Sequence, residues 1–409
     1  MDTKVTEIAA VVIAELRTAG YMESTIGQYQ KTIKALKRFV EERGAVYTPS
    51  LGAEFAAMTV SPRTGRFSVA RRFDYGRLVS VFDTYVNTGR VDLATRKRGG
   101  GGAQPESSEF VALHDAWEAE MDERGLASAT RAAYGRVARG YLVFLESGGT
   151  SCLGAADGAS VLGFLESLSE RWAKSSLFWV VSNFRPFLKF TGRTDLVDAV
   201  NLAGVRRSHA ILPVLSDADE RLVVQARASG AVGARDAAIT LLALTTGLRA
   251  CDIVGLRLSN VDWRTATIGI VQQKTHNPLR VPLTGLVTAK LADYVLHERP
   301  VSGDDQHDDH VFLRSVAPHV RLADHASVHR VISKVFDQAG LTEVKAGTQF
   351  LRHNAASRLL RAAVPLPTIS AVLGHADPES TNQYMSVDDD RLLQCVLEVP
   401  EGALGGGRS

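Results

Sequence analysis

One stretch of sequence occurs twice, and this limits the fold more than any other feature. Residues 20–44 read GYMESTIGQYQKTIKALKRFVEERG and residues 125–149 read GLASATRAAYGRVARGYLVFLESGG. At a constant offset of 105, Gly20 aligns with Gly125, Thr25 with Thr130, Tyr29 with Tyr134, Phe39 with Phe144 and Gly44 with Gly149. TGRVDL at 88–93 is echoed by TGRTDL at 191–196. Two copies of one supersecondary unit are the simplest reading. Ile26, Tyr29, Ile33, Leu36 and Val40 in the first copy, and Tyr134, Val137, Tyr141, Leu142 and Leu145 in the second, recur at helical spacing.

The faces away from those apolar stripes carry Lys31, Lys34, Lys37 and Arg38 in the first copy and Arg131, Arg136 and Arg139 in the second. Such rows suit a phosphate backbone, and they suit equally the solvated side of an ordinary amphipathic helix. Arg63, Arg66, Arg71, Arg72 and Arg77 crowd into 61–77 against Asp74 alone. The chain's net charge is only +2, so any attraction for nucleic acid must come from local clusters such as this one.

Between the copies, TRKRGGGGAQPESSE reads as a flexible linker, since four glycines in a row leave the backbone unconstrained. Near 201–216, Arg206, Arg207 and His209 precede Pro213, marking a basic connector. The expected organisation is a first helical domain at 1–98, a linker at 99–107, a second helical domain at 108–205, a connector at 206–215, a mixed α/β domain at 216–399 and a disordered tail at 400–409. The fold class is mainly α, with a small β-hairpin or sheet formed by TATIGIV and LRVPL and Lys274 near the tip. Cys152, Cys251 and Cys395 form no CxxC pair and read as small buried hydrophobes. No apolar run reaches the roughly 20 residues of a membrane span, so a cytoplasmic, nucleoid-associated protein is expected.

Chemistry concentrates at Thr348–Tyr384. Arg352, His353, His375 and Tyr384 fall there, with Gln349 at the start. Guanidinium groups fork onto the non-bridging oxygens of a phosphodiester, and a tyrosine supplies a nucleophilic oxygen. Each residue also has a plainer reading: Arg249 as a helix-end solvator, Lys274 as a turn residue, His375 as a helix cap, His353 as a buried structural imidazole. Tyr294, the other tyrosine of this half, sits in a plain helical pattern with Leu291 and Val295.

Five motifs in order, TTGLRACDIVGLRLSNVD, the lysine of QQKTHNPLRVPL, FLRHNAASRLL, LGH, and a tyrosine nine residues beyond that histidine, resemble the catalytic domain of the tyrosine recombinase (phage integrase) family. The tandem units ahead of them resemble that family's core-type DNA-binding domain, present twice. The resemblance implies that Arg249 and Arg352 hold the scissile phosphate, Lys274 protonates the departing 5′ oxygen, His375 donates a hydrogen bond, and Tyr384 becomes a 3′-phosphotyrosine without cofactor or metal. Gln349 stands where the family usually has histidine; it can hydrogen-bond but accepts no proton at neutral pH, and His353, one turn on, is a candidate substitute. The implied partner is double-stranded DNA held in a C-shaped clamp, with a tetramer assembled through a helix at 387–399. Two alternatives stay open: a type IB topoisomerase-like enzyme that cuts and reseals, and a catalytically impaired DNA-binding relative.

Overall fold

The computed structural model describes residues 5–93, 103–170, 172–205, 214–226, 232–301, 309–344 and 346–374, with the backbone alone at Lys174 and Ser175. Arg206, Arg207, His375, Tyr384, the start of the first linker, most of the basic connector, and the segments expected as the 387–399 helix and the tail lie outside the described residues. By proximity in space, the protein divides into a unit of residues 97–210 and a unit formed by 1–96 with 211–409.

The repeat is a repeat of helices. The first segment folds as α1 (Val5–Thr18), α2 (Glu23–Glu41), α3 (Pro49–Ala57) and α4 (Val69–Thr88). The second gives α5 (Ser108–Glu123), α6 (Ser128–Ser147), α7 (Gly158–Ser169), α8 (Lys174–Phe190) and α9 (Thr194–Leu202). The starts of α2 and α6, and of α4 and α8, keep the 105-residue offset (23 to 128, 69 to 174). Ile26, Tyr29, Leu36 and Val40 are buried on α2, and Val137, Tyr141, Leu142 and Leu145 on α6, so the apolar stripes read from the sequence are the core faces. Each fully buried large apolar side chain contributes about 1.5–3 kcal/mol, which is why short helices hold together here. The far end of the first linker is fastened: the backbone N–H groups of Glu106 and Ser107 donate to the Glu146 carboxylate at 2.9 and 2.7 Å, which holds its pKa below the usual range.

Beyond the connector, Ser216 caps α10 (Asp217–Gln225) by accepting the Asp219 N–H at 3.1 Å. Helix α11 (Ala234–Thr246) is buried along nearly its whole length and forms the middle of the largest core. Around it lie α12 (Ala250–Val254), α13 (Gly285–Asp293), α14 (His325–Gln338), α15 (Thr348–Arg361) and α16 (Leu366–Leu373). The expected hairpin is β2 (Thr267–Val271) paired antiparallel with β3 (Pro278–Pro282), Ile268 opposite Val281 and Ile270 opposite Leu279. A strand not anticipated from sequence, β1 (Val261–Asp262), pairs with β2 to make three strands in the order β1-β2-β3. Its two residues are too few to show an alternating pattern. Cys152 and Cys251 are unpaired and half-buried rather than buried. Among the described residues, no helix is long and apolar enough to cross a membrane.

Candidate active site

Helix α11 ends on Gly247, whose φ of +64° stops the helix in the left-handed region that glycine enters without strain. A Cβ there would lie 2.9 Å from the Leu373 side chain and 3.3 Å from Ala355, so the glycine also lets α15 and α16 close against the end of α11. The next turn begins at Arg249, the residue that caps α12.

Both arginines singled out in the sequence reach one short piece of backbone. Arg352, buried on α15, donates through Nη2 to the Leu373 carbonyl at 2.7 Å and through Nη1 to the Gly247 carbonyl at 2.8 Å. Arg249 donates through Nη2 to the adjacent Gly374 carbonyl at 3.1 Å. These two carbonyls end α16, where the helix dipole carries its partial negative charge and favours cations. The Arg249 Nη1 group is buried and has no hydrogen-bond acceptor among the described residues. Buried donors are rarely left unpaired, and an anionic oxygen would satisfy this one.

Lys274 is exposed in the turn between β2 and β3. Gln349 is exposed in the first turn of α15, whereas His353 is buried, so these neighbours one turn apart sit in different surroundings. Burial, and secondarily the Arg352 charge, lowers the His353 pKa and keeps the imidazole neutral. Tyr294 is fixed in the core: its hydroxyl accepts the Leu313 N–H at 3.1 Å and its ring stacks on Phe312 at 5.7 Å.

Three polar residues at the site carried no sequence signal. Gln272 is fully buried and donates through Nε2 to the Leu373 carbonyl at 3.2 Å. Thr275 donates to Gln272 Oε1 at 2.7 Å. Asp252, buried on α12, accepts the Gln273 N–H at 2.9 Å. A polar run at a hairpin end ordinarily reads as solvated, and only the packing of the turn against α16 and α12 gives these groups partners.

The cations of the two helical segments are of another kind. Lys31, Lys34, Arg63, Arg66, Arg72 and Arg136 are exposed, and Arg139 is half-buried. Lys37 and Arg38 face Glu41 and Glu42 at 3.7 Å, and Arg131 pairs with Asp122. Arg71 donates to the Val60 carbonyl at 3.0 Å, and Arg77 packs 4.3 Å from the Tyr29 ring centroid. Among the described residues, no group of three or more histidine, cysteine or carboxylate side chains is placed to hold a metal.

Residues 214–391 match the phage integrase family. The Sinorhizobium fredii protein y4gC, named as an integrase/recombinase, is 33% identical over 180 residues, covering 44% of this chain and 90% of that protein. The protein y4rF from the same organism, also named as an integrase/recombinase, is 31% identical over 229 residues; the match covers 54% of this chain and about half, 53%, of y4rF. In fold, the chain is similar to a crystal structure of the XerH site-specific recombinase bound to a palindromic difH substrate in a post-cleavage complex, with a TM-score of 0.56 at 16% identity, covering 72% of this chain and 90% of that one. With a relative 33% identical and matched over nine-tenths of its length, the chain belongs to the phage integrase family of tyrosine recombinases.

Proposed function

We propose that the protein is a site-specific DNA recombinase that cuts and rejoins strands through a tyrosine ester. The observation that carries this reading is the pairing of Arg249 and Arg352 on neighbouring carbonyls, with one Arg249 N–H buried and lacking an acceptor among the described residues. Two guanidinium groups fixed in this way are already oriented for the equatorial oxygens of a phosphoryl group, where charge builds in the transition state.

In the proposed reaction the Tyr384 oxygen attacks phosphorus and its phenolic proton passes to water. The 5′ oxygen leaves with the electron pair of the broken bond and takes a proton from Lys274, giving a free 5′ hydroxyl. One phosphoester bond is exchanged for another, so the reverse attack by a 5′ hydroxyl of a second strand needs no outside energy. His375 and Gln349 act as hydrogen-bond donors to the phosphate, and the neutral, buried His353 is structural and moves no proton.

The two N-terminal segments are proposed as DNA-binding domains of the core type. Exposed Lys31, Lys34, Arg63, Arg66, Arg72 and Arg136 would meet phosphates, and the same role is proposed for Arg139, Arg206 and Arg207. Phosphate contacts position a protein without reading sequence. Assembly as a tetramer on two paired DNA sites, through the 387–399 helix, and action on chromosomal DNA in the cytoplasm complete the proposal.

A random-sequence library of nicked duplexes tests it, because loss of the short strand beyond the nick traps the covalent intermediate. The expected result is a protein–DNA adduct with the parent chain and none with Tyr384→Phe. Retention of DNA without any adduct would instead mark a binding protein.

A further inference from the structure

The turn between β2 and β3 is held more tightly than a hairpin tip needs. Gln272 N–H donates to the Asn277 carbonyl at 3.0 Å, and His276 N–H donates to the Gln272 carbonyl at 2.9 Å, with His276 at a left-handed φ of +56°. These bonds close the turn on itself. Two further contacts leave it. The Gln273 N–H donates to Asp252 on α12 at 2.9 Å. The Gln272 amide is fully buried and bridges the Leu373 carbonyl at 3.2 Å and the Thr275 hydroxyl at 2.7 Å, and Thr275 Oγ1 lies 3.5 Å from the Gly374 carbonyl.

The carbonyls of Leu373 and Gly374 are the same two that receive Arg352 and Arg249. The space is filled to contact: a Cβ at Gly374 would lie 2.0 Å from Gln272 Oε1. Lys274, between the two clamping residues, makes no hydrogen bond or ion pair of its own among the described residues. A lysine side chain has four rotatable bonds and a compact ammonium, so the position of its backbone largely limits where the charge can go.

We infer that Gln272 and Thr275 are positioning residues that register the Lys274 turn to the end of α16, so that the general acid and the two phosphate-binding arginines share one reference point. The inference rests on the reading of Lys274 as the acid. A second possibility, that Gln272 only fills buried space, predicts a loss of stability with no particular effect on protonation of the leaving group.

Replacing the bridging 5′ oxygen by sulfur separates the two, because a thiolate departs without a proton and so hides the loss of a general acid. The full-length chain is assayed in single turnover on a duplex recovered by covalent capture, prepared with oxygen and with sulfur at that position. Gln272→Met and Thr275→Val are expected to cleave the oxygen duplex about 10- to 100-fold more slowly than the parent, a partial loss of the roughly 10²- to 10⁴-fold that a general acid supplies, and the sulfur duplex within about threefold of it. Lys274→Ala should show the same pattern with a larger loss on oxygen. Thr275→Ser, which keeps the hydroxyl, should regain what Thr275→Val loses.

Parent-like rates on the oxygen duplex, or equal slowing on both duplexes, overturn the positioning role. Equal slowing of Lys274→Ala on both duplexes overturns the acid reading, and the clamp's role with it. If Gln272→Met does not fold by circular dichroism, the Thr275 pair, a nearly isosteric change and its rescue, decides the matter. Absence of any adduct with the parent chain would sink the proposed function itself and is recognisable before any variant is made.

Discussion

The arginines at the end of α16 and the cations on the N-terminal helices differ in how firmly the fold holds their charge. Arg352 is buried and spends two of its N–H groups on backbone carbonyls, and Arg249 is held by a third carbonyl. Lys31, Lys34, Arg63 and Arg66 stand in solvent. A guanidinium fixed by neutral acceptors keeps its full charge and a set direction, which is what stabilisation of a transition state requires. An exposed cation keeps its charge but not its direction, so it draws a polyanion closer without choosing among phosphates.

Arg352→Ala should break the contrast most strongly. It leaves the Gly247 and Leu373 carbonyls short of donors and should lower strand cleavage about 10²- to 10³-fold, measured as adduct formation in single turnover. A variant within tenfold of the parent would mean that the anchored arginine does not hold the phosphate. Gly374→Ala should come next. Gly374 and Gly89 have φ of +64° and +69°, but a Cβ at Gly89 meets nothing within 4 Å, whereas at Gly374 it collides with Gln272. The two alanine variants should share a backbone cost of about 1–2 kcal/mol in denaturant unfolding, and only Gly374→Ala should also slow cleavage.

Removing the exposed cations should have a smaller effect. Lys31→Ala, Arg63→Ala and Arg66→Ala should each weaken DNA binding a few-fold irrespective of sequence and reduce the salt dependence of binding by about one unit of slope, with cleavage of bound DNA unchanged. A strong, sequence-dependent loss at any of them would erase the distinction. The smallest effect concerns His353. Its folded pKa lies below the ordinary histidine value, so at mildly acidic pH the unfolded chain binds the proton more readily than the folded one. Its contribution is therefore fully present above the usual histidine range and falls as the pH drops through it. Denaturation midpoints at pH 7.5 and 5.5 should differ less in His353→Gln than in the parent.

Much of this protein is legible in the sequence. Helical periodicity located α2 and α6 because a buried stripe every three to four residues is the condition for burying one face. That the same 105-residue offset relates the starts of α4 and α8 is shown by the structure alone. The resemblance to the recombinase catalytic domain implied that Arg249 and Arg352 act together, and both do reach the end of α16. Partnership was not legible. Which cations are exposed and which are tied, as Arg131 is to Asp122, depends on neighbours that the local pattern does not name. Gln272 looks like any polar turn residue, and α16 gives it a hydrogen-bond partner from 101 residues away. Composition and spacing thus determined the helices, the hairpin and the chemical groups, because these follow from local backbone geometry and from the functional groups themselves. Only the tertiary structure decided that two arginines and a buried glutamine meet at the Leu373 and Gly374 carbonyls, because a buried polar group is stable only where distant chain segments supply its partners.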